Sequence, residues 1–136
     1  MSQVAISGNA SGTGTLTIAA PNTNSNRTLT LPDGTGTVAL TSDVIGVSQT
    51  WQNVAGSRAL GTTYTNSTGK PIAVSTQVQS TTNGTNTIVI AGVTAVQTTT
   101  TANLGTTMFA IVPNGATYVV DNNQASKSII AWAELR

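Results

Sequence analysis

The chain contains neither cysteine nor histidine. Their absence removes the thiolate nucleophile, the commonest general base and the usual transition-metal ligands. It also leaves no disulfide framework and no clue to redox compartment. Charge is nearly as scarce, at 7% of residues against about 25% in ordinary soluble domains. The net charge is +1, and the basic residues Arg27, Arg58, Lys70, Lys127 and Arg136 are scattered singly. No patch can track a phosphate backbone, so nucleic acid is excluded as a partner. No apolar run approaches the roughly 20 residues of a membrane helix, so no membrane partner is expected. No signal peptide opens the chain, and Met1-Ser2-Gln3 reads as a native start. Synthesis and assembly inside a cell are therefore expected.

Thr, Asn, Ser and Gly fill the space that charges and aromatics leave. A disordered chain would combine high net charge with low hydrophobicity, whereas 38% of this one is apolar. Threonine in such excess favours strands, because its β-branched side chain suits a pleated, half-buried surface. At 136 residues the chain has room for one domain, or one domain and an appendage. The expected class is all-β.

The pattern divides near residue 45, giving an N-terminal segment (1–45) and a C-terminal domain (46–136). Before the division, Val4-Ala5-Ile6, Thr15-Leu16-Thr17-Ile18, Thr28-Leu29-Thr30-Leu31 and Thr37-Val38-Ala39-Leu40 place large apolar residues two apart, the strand period. Turn signals separate them at Gly8-Asn9, Gly12-Thr13-Gly14, Pro21-Asn22 and Pro32-Asp33-Gly34. Each run offers two large apolar side chains, too few to offset about 1–2 kcal/mol per ordered residue. Isolated small ribbons are marginal in water. The segment therefore needs partners: copies of itself wound together, or a larger surface to dock on. Ile6, Leu16, Ile18, Leu29, Leu31, Val38 and Leu40 are the candidate oligomer and anchoring residues. Residues 41–50 read as a hinge, with Thr41-Ser42-Asp43 as a helix N-cap cluster ahead of Val44-Ile45 and at most one helical turn.

After the hinge, Ile72, Val74, Thr76 and Val78 alternate with Ala73, Ser75 and Gln77. Asn83-Gly84 is the strongest short hairpin signal, leading to Ile88 and Ile90. Met108, Ala110 and Val112 share another face, and Pro113-Asn114-Gly115 turns the chain toward Thr117 and Val119. Short strands at this spacing predict an antiparallel sandwich resembling a jelly roll. Trp51 and Trp132 are expected in its core. Tyr64 and Tyr118, each beside a loop, divide evenly between core and surface.

Catalytic material is thin. The carboxylates are Asp33, Asp43, Asp121 and Glu134, and glycosidase chemistry needs two facing across a bond. Asp33, Asp43 and Asp121 sit in turn-like contexts where structural roles suffice. Gly12-Thr13-Gly14 and Gly34-Thr35-Gly36 lack the lysine and the strand-to-helix context of a phosphate loop. No catalytic residue, metal site or cofactor is assigned.

The stretch Thr15-Leu16-Thr17-Ile18-Ala19-Ala20-Pro21, continued through Arg27-Thr28-Leu29-Thr30-Leu31-Pro32-Asp33-Gly34-Thr35-Gly36-Thr37-Val38, resembles a segment common in tail fibres and related structural proteins of tailed bacteriophages. The second half, with Gln49-Thr50-Trp51-Gln52, Gly69-Lys70-Pro71-Ile72 and the ending Trp132-Ala133-Glu134-Leu135-Arg136, looks like the small terminal β-sandwich of such fibres. The resemblance implies a homotrimeric, all-β virion component, intertwined at its N-terminal segment and anchored there to a capsid or tail protein. No long shaft joins the halves, which favours a short head fibre or capsid decoration protein over a cell-reaching tail fibre. One alternative makes the C-terminal domain a receptor-binding tip for a host surface glycan or protein, with Asn83, Thr99, Thr100 and Tyr118 in its distal loops. A second is a glycan-cleaving spike using Asp121 and Glu134.

Overall fold

In the computed structural model the residues described are 8, 10–19, 21–30, 33–36, 39–40 and 43–136. The chain divides into two units, Met1–Gly36 and Thr37–Arg136. Strands β1 (Trp51–Asn53), β2 (Tyr64–Thr65), β3 (Ile72–Ser80) and β4 (Gly84–Ile90) are followed by β5 (Val93–Thr100), β6 (Gly105–Val112), β7 (Thr117–Asn122) and β8 (Lys127–Leu135). Helical conformation among the described residues is limited to 3-10 turns, at Ala55–Ser57 and at Asp43. The all-β expectation holds.

The strands form two four-stranded antiparallel sheets, ordered β1-β8-β3-β6 and β2-β7-β4-β5. Successive strands β1 to β4 alternate between the sheets, and each finds its partner on the return path: β1 with β8, β2 with β7, β3 with β6, β4 with β5. Inward side chains of both sheets make one core, including Ile72, Val74, Val78, Met108 and Trp132 from the first and Ile88, Tyr118 and Val120 from the second. β3 shows why this sequence makes a strand here. Ile72, Val74, Thr76 and Val78 are buried while Ser75 and Gln77 are half-buried, the alternation a pleated strand imposes. Thr76 Oγ1, among the described residues, is buried without a hydrogen-bond partner.

Several expectations are corrected. Asn83-Gly84 does not close a hairpin, because β3 and β4 belong to different sheets. It is a corner between sheets, and Gly84 is not among the glycines with positive φ. What calls for glycine there is close approach: a Cβ would stand 2.5 Å from Gln124 Cγ and 2.7 Å from Asn123 Oδ1. The tight hairpin joins β4 to β5 instead, through Ala91 (φ 49) and Gly92 (φ 82), between the paired Ile90 and Val93. Two positive φ values give the turn that matches strand twist.

In β7 the inward residues are Tyr118, Val120 and Asn122. Trp51 is exposed, because β1 pairs it with Leu135 on the outer face, out of phase with the inward Trp132 and Glu134. In the N-terminal segment, Gly12–Ala19 and Asn26–Thr30 carry no strand assignment. Among the described residues none pairs in a sheet with residues 15–18. The run Val4–Ile6 and the residues Leu31, Thr37 and Val38 lie outside the described residues.

Candidate functional site

The proposed anchoring residues that are described stand in the open. Leu16, Ile18 and Leu29 are 82%, 78% and 84% exposed, and Leu40 is also exposed. Ile6, Leu31 and Val38 lie outside the described residues. Such side chains at strand spacing gain nothing where they are. Each would gain roughly 1.5–3 kcal/mol if fully covered.

The four residues assigned to distal loops do not form one site. Thr100 pairs with Gly84 at one end of β4, and Tyr118 pairs with Ile90 at the other. Six residues of strand separate those ends, roughly 20 Å at about 3.4 Å per residue. Tyr118 is buried on β7, and Thr100 is buried on β5, so neither is a loop residue open to a ligand. Thr99 is exposed, but on β5. Asn83 is exposed, and its Oδ1 accepts the Ala102 N–H at 2.8 Å. Asn103 N–H donates to Ser80 O at 2.8 Å. These bonds stitch the corner after β3 to the corner after β5.

Arg58, Asp121, Lys127, Glu134 and Arg136 are tied into contacts that hold the β domain. Glu134 is fully buried. Arg58 grips it with a fork, Nε donating to Oε1 and Nη2 to Oε2, each at 2.9 Å. The Tyr118 hydroxyl and the Trp132 indole N–H also donate to Oε1, and Arg136 Nε lies 3.3 Å from Oε2. Burial alone would push the Glu134 carboxyl up. The Arg58 fork, the Tyr118 hydroxyl and the charge of Arg136 outweigh it and hold the group below the usual carboxylate range. The same contact raises Arg58, through its bond to Glu134. Tyr118 is pushed up to about 12, first by burial and then by the bond to the carboxylate.

Arg58 also lies over the Tyr64 ring, 4.4 Å from its centroid, a cation–π contact. Tyr64 in turn packs against Tyr118 and, edge-on, against Trp132. A carboxylate so saturated with donors is a poor proton donor at neutral pH. The arrangement fits a clasp tying the β1–β2 connection to β7 and β8.

Three asparagines do similar work. Asn66 donates to the carbonyls of Lys70, Val112 and Pro113, fixing the loop that enters β3. Asn86 and Asn122, paired across β4 and β7, share a side-chain hydrogen bond in the core. Lys127 Nζ is held by the Asp121 carboxylate and by Asn122 O, beside an open groove lined by Gln79, Ser80, Ser126 and Ser128. Among the described residues no three His, Cys, Asp or Glu side chains gather where a metal could sit. No helix among them is long and apolar enough to cross a membrane.

Sequence reasoning missed the outer face of the β1-β8-β3-β6 sheet. Register places Trp51, Leu135, Ala73 and Ile111 in one row across it, and Asn53, Ala133, Ser75 and Phe109 in the next. Trp51, Phe109 and Ile111 are 53%, 54% and 51% exposed. The signal was present in β6, where Phe109 and Ile111 alternate with Met108, Ala110 and Val112. A strand apolar on both faces reads as covered on both.

No family model matches this chain, and neither a curated protein nor a solved structure is detectably similar to it.

Proposed function

We propose that this chain is a non-enzymatic structural component of a tailed-bacteriophage particle. In this reading it is a short homotrimeric fibre or decoration protein, held to a capsid or tail protein through its N-terminal segment. The observation that carries the reading is the pairing of two unlike parts. One is a small β domain with its own core. The other is a segment whose Leu16, Ile18 and Leu29 are strand-spaced and bare. Such a segment gains stability only when another surface covers its apolar residues and takes up its backbone hydrogen bonds, as in β-augmentation. Its likeness to phage fibre segments supplies the kind of particle.

The strand orders also support a jelly roll. The nested pairs β1·β8, β2·β7, β3·β6 and β4·β5 are what results when one long antiparallel ribbon is folded over into two sheets. Jelly rolls are frequent in viral capsid and lectin domains, which is an argument from fold analogy alone. The non-enzymatic part of the reading rests on Glu134, whose donors leave it structural.

Deleting residues 1–40 tests the anchor. The remaining chain is expected to keep its β-rich circular dichroism and to be missing from purified particles. Incorporation of the truncated protein at wild-type levels would overturn the assignment.

A further inference from the structure

Residues 46–50 lead into the β domain with little apolar support. Val44 and Val47 are exposed, and Ile45 is only half-buried. The strand that follows is also lightly held. β1 has three residues, lies at a sheet edge and is exposed along its whole length. An edge strand that buries so little is the kind of element that opens locally.

Polar contacts supply what burial does not. The Gln49 side chain uses its whole amide. Its Nε2 donates to Pro71 O at 2.9 Å and to Leu135 O at 3.3 Å, and its Oε1 accepts the Gly46 N–H at 2.6 Å. A primary amide has two N–H donors, and this orientation gives each of them a carbonyl. Lys70 Nζ donates to Val47 O at 2.9 Å. Lys70 is itself fixed, because the buried Asn66 donates to its carbonyl at 2.8 Å. Past the turn, Thr50 and Arg136 exchange backbone hydrogen bonds at 2.9 and 3.1 Å.

The backbone carries an independent sign. Gly46 and Ser48 have φ values of 90 and 55, so two left-handed residues in three fold the turn back on itself. Ser48 is not a glycine, and such a conformation persists where the surrounding structure over-determines it.

We infer that residues 46–50 are a closed strap that locks the edge strand β1 to the two interior strands of its sheet. Pro71 O stands at the entry to β3 and Leu135 O at the end of β8. Those strands are neighbours inside the order β1-β8-β3-β6. Strain arriving along the chain from the N-terminal side therefore meets β3 and β8, through Gln49, before it can unzip β1. The strap goes beyond the particle reading and holds whether or not the N-terminal segment is anchored. In that reading it is the point where the load of an anchored segment enters the domain.

Gln49→Glu in the full-length chain tests the strap, because it keeps the side chain's length but sets a carboxylate against two carbonyls. Hydrogen exchange reads the result at the amides of Thr50 and Val54, which flank β1 and bond to Arg136 O and Trp132 O. The amides of β3 serve as internal standard. Both flanking amides are expected to be protected in the wild type. In Gln49→Glu they should exchange about tenfold faster, the scale of one or two lost hydrogen bonds, with β3 unchanged. Where β3 loses protection as well, Lys70→Met decides, since the Lys70 ammonium bonds only the turn. That variant should speed Thr50 about threefold, as for one exposed hydrogen bond. A wild-type Thr50 exchanging like an unstructured amide would overturn the inference. So would wild-type rates in Gln49→Glu or, where that variant unfolds the domain, in Lys70→Met. Absence of the truncated chain from particles bears on the anchor alone, so the two readings fail separately.

Discussion

Glu134 has no exposed surface, and donors from Arg58, Tyr118, Trp132 and Arg136 surround it. Taking one partner from a buried ion pair costs about 3–5 kcal/mol, because the other charge is left behind uncompensated. Arg58→Ala should lose stability on that scale at neutral pH, read by chemical denaturation. The pH dependence follows from the directions of the shifts. The folded Glu134 carboxyl lies below its ordinary value of 4.5. Its stabilisation is thus complete above that value and is lost as pH falls through the folded one. Tyr118 is raised from 10.0 to about 12. Its stabilisation is complete below pH 10 and is lost as pH climbs toward 12. Wild-type stability should therefore fall at both ends, and Tyr118→Phe should flatten the alkaline limb. An unchanged alkaline limb in that variant would show that Tyr118 is not held as a buried neutral hydroxyl. The clue to this clasp in the sequence was spacing: Trp132 and Glu134 are two apart, so a strand that buries one buries the other. Arg58 gave no such clue, because it comes from a loop far away in the chain.

At the scale of elements, the sequence was readable wherever period two met one buried face. β3 follows its pattern through Val78, and Met108, Ala110 and Val112 of β6 point inward as their spacing required. The sequence does not decide the phase of β7, because Thr117 and Val119 look as strand-like as Tyr118 and Val120, and only pairing with β4 separates them. The turn was misplaced for a related reason. Asn-Gly is a strong local preference, but β3 and β4 are drawn into different sheets by their partners β6 and β7. Tertiary pairing outweighed the dipeptide. The real hairpin puts Ala91 at φ 49, where an alanine Cβ is strained by roughly 1–2 kcal/mol. Asparagine tolerates that region better. Ala91→Asn is therefore expected to stabilise the domain by about 0.5–1 kcal/mol, seen as a higher denaturation midpoint. A lower midpoint would mean that the turn is not of this type.

For the whole molecule, the all-β class, the two antiparallel sheets and most of the core were legible, because each depends on local alternation. Assembly was only partly so. The surplus of uncovered leucine and isoleucine in the N-terminal segment announced a need for partners, but the outer face of the β1-β8-β3-β6 sheet became visible only once register aligned Trp51 with Leu135, Ala73 and Ile111. Those residues are distant in sequence, and no window along the chain contains them together. A segment with bare, strand-spaced Leu16, Ile18 and Leu29 gains stability only when another surface covers it, and the half-exposed Trp51, Phe109 and Ile111 add to the apolar surface of the single chain. Association would cover the segment. The most direct measurement is the mass of the full-length protein in solution by light scattering. A species near three chains, persisting to micromolar concentration, is the expected result; a stable monomer at every concentration would contradict it.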